Sequence, residues 1–219
     1  MNIPHNYQRI LHIHNPRILL VSWFVYLLFY VLTEKWITPE MCYPVHHWLD
    51  DVIPFCEWFV IPYVFWYLLL AITVVYFLLY DIEMFCKFQI YVLVVQFIAF
   101  SAYILFPTRQ DLRPEIFPRE NWGTDFVALL YRLDDNTGVC PSLHVAYSIA
   151  MASAWKKSKA SFLWRYFVCG MAVLICLSTM FIKQHSFWDF LAALPVCFLA
   201  EIIAYRTKLY AVFSKSQSD

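Results

Sequence analysis

The sequence predicts an all-α, polytopic membrane bundle of six transmembrane helices with a short interfacial helix before the fourth. Three observations carry that expectation. Of 219 residues, 62% are hydrophobic and 15% charged, the wrong proportions for a water-facing surface. Phe, Tyr and Trp make up 20% of the chain and gather where apolar segments meet charged ones, as interfacial belts do. Charged residues also cut the chain into six apolar blocks, each able to cross or nearly cross a hydrocarbon layer that needs roughly 20 residues per helix.

The blocks run over 17–36, 58–80, 88–107, 142–155, 162–181 and 186–204. The first is long, aromatic-rich and without a small-x-small cleavage pattern before Glu34, so it reads as a retained span and not as a cleaved signal peptide. The fourth is short and borrows the lysine stems at its end. Between the third and fourth, TDFVALLYRL (124–133) opens on a threonine suited to capping and spaces Phe126, Val127, Leu129, Leu130 and Leu133 as an amphipathic helix lying on the membrane. A plain connector is the alternative. No internal repeat, low-complexity tract or Gly-Ser linker interrupts the chain, so 1–219 is expected to be one domain.

Net charge is zero, which gives no footprint for nucleic acid. With the N-terminus placed in the cytoplasm, ten of the 16 basic residues fall on the inner side, and acidic residues lean outward. That bias favours both termini inside. It puts His5, His12 and His14 on the inner face as interfacial side chains. The outer segment 107–139 carries arginines against the rule, and Arg119 and Arg132 are each as well explained by pairing with a neighbouring carboxylate.

Three polar clusters fall on the outer face, each where a span enters or leaves: FPTRQDLRP (106–114), CPSLH (140–144) and STMFIKQHSFWD (178–189). In the third, His185 and Asp189 are four residues apart, expected on the first turns of the last helix and on one face of it. A carboxylate there takes the proton of one ring nitrogen and leaves the other free as a nucleophile or base. A self-satisfied pair is the structural alternative. In the second cluster, Pro141 suits a first helical turn, the amides after it form an anion site, Ser142 adds a hydroxyl and His144 stands ready to protonate a leaving oxygen. An ordinary cap beside a buried histidine is the alternative there. The first cluster supplies Arg109 and Arg113, whose guanidinium forks match phosphate oxygens. Together these parts describe phosphoryl transfer that uses neither metal nor cofactor.

These residues resemble the type 2 phosphatidic acid phosphatase superfamily, whose membrane members have six helices and three motifs: K-x6-R-P, P-S-G-H and S-R-x5-H-x3-D. Arg113 and Pro114 match the end of the first; Pro141, Ser142 and His144 match the second; Ser178, His185 and Asp189 match the third at full spacing. The likeness covers about 88–206. It implies that His185 attacks phosphorus to form a phosphohistidine, that Asp189 orients it, and that His144 protonates the departing alcohol. The chain departs from the family at Phe106 for the lysine, Leu143 for the glycine and Thr179 for the arginine, leaving Arg109 and Lys183 as the candidate replacement cations.

P-S-L-H with S-T-x5-H-x3-D is similar to the branch containing inositol phosphorylceramide synthases, which exchange lipid head groups. A monoester approaches two negative charges near neutral pH whereas a diester holds one, so fewer cations suit a diester. Two readings therefore stand: a lipid phosphate phosphatase, favoured by the small size of the chain, and a lipid phosphotransferase. In either, the partners are a lipid phosphate or phospholipid and the bilayer, and the active site faces the extracytoplasmic side of a prokaryotic plasma membrane or its equivalent. A scaffold or transporter is the third class; it expects polar groups along the helix centres. High hydrophobicity excludes the soluble vanadate-dependent haloperoxidases of the superfamily.

Two features of the first outer loop complete the reading. HHWLDD (46–51) holds metal-ligand types but reads first as solvated loop, with Asp50, Asp51 and Pro54 as part of a cover over the site. Cys42 and Cys56 share that loop, where a disulfide could persist, although spacing does not show pairing.

Overall fold

The computed structural model describes residues 16–214; His5, His12, His14, Arg9 and Lys215 lie outside them. Helices dominate the described chain, with almost no strand. Helix α1 (Val21–Trp36) follows a 3₁₀ turn (Pro16–Leu20); α2 (Trp48–Val52) is a short loop helix; α3 (Val60–Tyr80) follows a second turn (Glu57–Phe59). Then come α4 (Ile82–Leu105), α5 (Trp122–Leu133), α6 (Leu143–Lys157), α7 (Phe162–Phe181), α8 (Phe187–Glu201) with a π-helical extension (Ile202–Arg206), and α9 (Ala211–Ser214). Two-residue strands β1 (Tyr43–Pro44) and β2 (Thr108–Arg109) pair in parallel.

Five of these elements are long and apolar enough to cross a membrane: Pro16–Trp36, Glu57–Tyr80, Ile82–Leu105, Phe162–Phe181 and Phe187–Arg206. The chain is an all-α integral membrane protein. The remaining expected block is α6, with 15 residues. At 1.5 Å per residue it is about 22 Å long, shorter than the roughly 30 Å hydrocarbon layer. Its surroundings explain how it tolerates that length: α6 packs against α3, α4, α7 and α8, and Val145, Ala146, Tyr147, Ala150, Met151 and Ala154 are all buried. A helix enclosed by protein need not match the lipid.

Helix starts follow their caps. The α4 helix begins at Ile82, not near 88 as the charge pattern suggested, because the Asp81 carboxylate accepts from the Met84 amide and Lys87 pairs with Glu83 one turn earlier. The α5 helix is amphipathic as expected but starts at Trp122. Its cap is Asn121, whose side chain accepts from the Gly123 and Thr124 amides, while Thr124 closes a capping box from the third helical position. At the end of α6, Lys157 does more than shield its stem: its ammonium pairs with Glu201 of α8 and donates to Ser153.

Lipid tails are as apolar as leucine, so close packing and interhelical hydrogen bonds hold such a bundle together. Small residues Ala146, Ala150 and Ala154 let neighbours approach α6. Gln96 Nε2 donates to Tyr147 Oη (2.9 Å), Trp155 Nε1 to Thr73 Oγ1 (2.8 Å) and Trp23 Nε1 to Gln89 Oε1 (3.2 Å). Phe24, Leu28, Phe97 and Phe198 instead face outward, forming the apolar shell that a bilayer covers.

One end of the bundle carries the polar segments. The β1–β2 pair joins the loop after α1 to the loop after α4, the Cys56 amide bonds the Phe181 carbonyl at the end of α7, and Tyr103 Oη bonds the Pro141 carbonyl before α6. The three clusters of the sequence therefore share one end of the molecule.

Candidate active site

The α8 helix begins one residue after its Ser186 cap, so His185 lies outside the helix and Asp189 is its third residue. This corrects the expectation that both sit on helical turns. Their meeting comes from a capping box instead. Asp189 Oδ2 accepts the Ser186 amide at 2.9 Å and lies 3.2 Å from His185 Nδ1. The carboxylate is fully buried, and its position in the first turn is stabilised by the helix dipole. Asp189 Oδ1 is buried with no hydrogen-bond partner, an unusual condition for a carboxylate oxygen. With Nδ1 held by Asp189, Nε2 is the nitrogen of His185 available for chemistry.

Pro141 is also displaced from its expected place. It precedes the cap of α6, and that cap is Ser142, whose hydroxyl accepts from the Val145 amide at 3.4 Å. The Ser142 amide donates to the Asp189 carbonyl, which draws the starts of α6 and α8 together. His144 follows on the first turn of α6. Its ring lies against Tyr63 (centroids 4.4 Å, 21°) and Trp66 (4.4 Å, 37°), and 6.1 Å from the His185 ring. His144 Nε2 is buried and unpartnered. The two histidines can flank one phosphorus-sized group.

Both rings open onto a cavity of about 500 Å³, walled by α1, α3, the segment after α5 and the start of α6. That volume is in the range of small-molecule binding sites. The wall is aromatic, including Tyr26, Tyr30, Tyr63, Trp66 and Tyr67, with carboxylates at Glu34, Asp134 and Asp135. Tyr30 Oη donates to Asp134 Oδ1 at 2.8 Å, and burial raises the Asp134 carboxyl above the usual range. Among the described residues, no lysine or arginine lines this cavity.

The expected phosphate-binding cations are engaged elsewhere. Arg109 bonds Asp111 (3.1 Å) and the Pro39 carbonyl (2.7 Å), fastening the β1–β2 region. Lys183 has left-handed backbone (φ 55°), and its ammonium bonds the carbonyls of Asp50 (2.7 Å) and Ile53 (2.6 Å). Those two bonds hold a turn that costs a non-glycine residue about 1 kcal/mol. Arg113 comes nearest: it bonds the carbonyls of Tyr131, Asp134 and Asp135, lies over the Tyr131 ring, and reaches Gln184 Oε1 at 2.7 Å. Gln184 lines the cavity; Arg113 stands behind it. Ser178 is buried and donates to the Ile175 carbonyl, so its hydroxyl faces its own helix. Of the eight residues expected in the site, His185, Asp189, His144 and the Ser142 backbone converge. Arg109, Lys183 and Ser178 take structural roles, and Arg113 supports the wall.

Asp50 is the residue that sequence reasoning underrated. Its carboxylate accepts the Ser186 hydroxyl (2.6 Å), the Phe187 amide (2.8 Å) and the His47 amide (2.8 Å), so the first loop clamps the start of α8. The only local hint was its place in an acidic, aromatic loop. In the same loop His46 pairs with Asp51, and the His47 ring packs on Phe187. Cys42 and Cys56 are both free thiols, so the pairing that the loop permitted is not formed. Burial, with the Asp189 carboxylate nearby, pushes the Cys140 thiol up to about 12, which leaves it protonated and a poor nucleophile. Arg119 and Glu57 form the carboxylate pair expected for that arginine, through two bonds of 2.7 and 2.6 Å.

The chain matches no protein-family model, and neither curated proteins nor solved structures yield a match.

Proposed function

We propose that this integral membrane protein is an enzyme of lipid phosphoester chemistry that works through a phosphohistidine on His185. The observation that carries the proposal is the His185–Asp189 contact of 3.2 Å facing His144 over a shared cavity. Asp189 holds the Nδ1 proton, so Nε2 attacks phosphorus with its lone pair. As the P–N bond forms, the phosphorus–oxygen bond to the leaving alcohol breaks, and His144, protonated to imidazolium beside the bound phosphate anion, delivers its proton to that oxygen and becomes neutral. His144 then takes a proton from water or from an acceptor hydroxyl, whose oxygen attacks phosphorus and releases His185. The amides at the start of α6 supply positive potential for the phosphoryl oxygens. In the simplest form water is the acceptor and the enzyme is a lipid phosphate phosphatase acting on the extracytoplasmic face of a six-span bundle.

A second reading, the lipid phosphotransferase, is favoured by a specific observation. Arg109, Lys183 and Arg113 all spend their donors on protein groups, and the cavity wall holds carboxylates. A dianionic monoester needs cations that this wall does not offer, whereas a monoanionic diester needs fewer.

The test is to trap the intermediate. Protein given a phosphorus-labelled phospholipid and quenched in base should carry acid-labile label on His185, and His185→Ala should carry none and show no turnover. Turnover retained by His185→Ala would overturn the proposal. Adding a ceramide or diacylglycerol acceptor then separates the readings, since label leaves as free phosphate in one and as a new lipid in the other.

A further inference from the structure

We infer that the cavity recognises a lipid whose phosphodiester carries a cationic ammonium head group, of the choline or ethanolamine type. The inference rests on the second reading of the site, the lipid phosphotransferase acting on a phosphodiester, and it names the class of head group. Three features of the wall point the same way.

The first is charge. The wall facing the histidines carries Glu34 from α1 and Asp134 and Asp135 from the loop after α5, and none of the described residues lining it is a lysine or arginine. The closest guanidinium, Arg113, is turned to backbone carbonyls and Gln184 and offsets only part of the charge of Asp134 and Asp135, so the wall keeps an excess of acid over base. An anionic head group such as a phosphomonoester or glycerol phosphate would meet carboxylates there and gain no partner. An ammonium would be attracted.

The second is the ring surface. Tyr26 and Tyr30 of α1 stack at 6.2 Å on one wall, and on the other Tyr67 of α3 meets Trp66 edge to face at 4.9 Å, Trp66 itself lying between His144 and Tyr147 so that Tyr30 and Tyr67 are the rings offered to a ligand. Aromatic faces with a nearby carboxylate are the environment that holds quaternary ammonium groups, by cation–π attraction without a need for hydrogen bonds.

The third is placement. Asp134 lines the same cavity as His185, and Gln184, next to His185 in the chain, donates to Asp134 Oδ2 at 3.4 Å. A zwitterion carries its phosphate and ammonium only a few bonds apart. Phosphorus at the histidines therefore leaves the ammonium beside Asp134 and the tyrosines. The helix α1 is mostly exposed along its outer side, so this wall lies at the lipid boundary.

The test measures binding apart from turnover. His185→Ala protein in an uncharged detergent is titrated with short-chain phosphatidylcholine, phosphatidylethanolamine, phosphatidylglycerol and phosphatidic acid below their micelle concentrations, with tryptophan fluorescence as the readout. Either ammonium lipid is expected to bind about tenfold tighter than both anionic lipids. The preference should shrink to about twofold or less in Glu34→Gln and in Tyr67→Leu, the latter a half-exposed ring whose loss leaves the bundle core intact. Thermal melting of each variant checks that it is folded. Equal or tighter binding of phosphatidic acid or phosphatidylglycerol would overturn the inference, as would a preference unchanged in both folded variants. Wild-type turnover is assayed in parallel. Turnover with an anionic preference removes this inference and spares the phosphohistidine proposal; an ammonium preference without any phosphohistidine does the reverse.

Discussion

The Ser142 amide donates to the Asp189 carbonyl across 3.1 Å, joining the starts of α6 and α8. That single backbone bond brings together two motifs far apart in the chain and sets His144 opposite His185. Around it the supporting bonds come from residues that lie in loops: Asp50 caps α8 from the first loop, and Lys183 holds the turn before it.

Asp189 both orients His185 and caps α8. Replacing it with asparagine keeps the shape and one acceptor oxygen but removes the negative charge that holds the Nδ1 proton and stabilises the cationic ring formed on His185. Asp189→Asn is expected to lower kcat by about 10³–10⁴-fold, as loss of the orienting carboxylate does in other histidine mechanisms, with KM little changed. Steady-state kinetics on a short-chain phospholipid check this; a KM effect with kcat intact would assign Asp189 to binding.

Lys183 separates a structural role from a phosphate-binding one. Lys183→Met removes two charge-assisted bonds to the Asp50 and Ile53 carbonyls and should lower stability by about 2 kcal/mol. Thermal melting in detergent reads that loss. An unchanged melting temperature with a raised KM would return Lys183 to the substrate.

The two arginines of the first polar cluster should behave differently. Arg109→Lys loosens an exposed fastening and is expected to leave KM within about twofold and stability within about 0.5 kcal/mol. Arg113→Lys loses a fork shared among three carbonyls and Gln184 and should cost about 2 kcal/mol. Parallel melting curves and KM values test the ordering, and a large KM change at Arg109 alone would reverse it.

The Asp134 carboxyl is raised by burial, so its charged form is disfavoured in the folded protein. The hydrogen bond from Tyr30 pulls the other way, as do His185 and Arg113 more weakly, and Asp135 adds to the rise. Below about pH 4, the ordinary aspartate value, both folded and unfolded chains hold the proton and its effect on stability is absent. As pH rises, the unfolded chain ionises first, and the folded state loses stability until the folded carboxyl also ionises. Asp134→Asn removes that loss. Melting the two proteins from pH 4 to neutrality should show wild type falling relative to the variant; a constant difference would place Asp134 in an ordinary environment.

Much of the fold was legible because the bilayer imposes simple rules on composition. Five of the six blocks correspond to helices long and apolar enough to span, and Phe162–Phe181 matches the expected block end for end. Errors fell at caps, where one side chain decides. Asp81 starts α4 six residues early, and Asn121, not Thr124, starts α5. The histidines and their carboxylate were legible too, through chemistry and spacing. What the cations bond was not legible, for a physical reason. An arginine or lysine near a motif looks the same in sequence whether its donors face substrate or backbone carbonyls, and here the carbonyls took them.

What the sequence alone determined is the solvent, the helices and the chemical types at one end of the bundle, because hydrophobic length and residue identity are local properties. What only the tertiary structure decided is which of those groups share a cavity. Asp50, Asp134 and the tyrosines of α1 and α3 reach the site through interhelical packing and loop-to-cap hydrogen bonds that span most of the chain, and no local pattern encodes such contacts. Their arrival changes the wall of the site from cationic to aromatic and acidic.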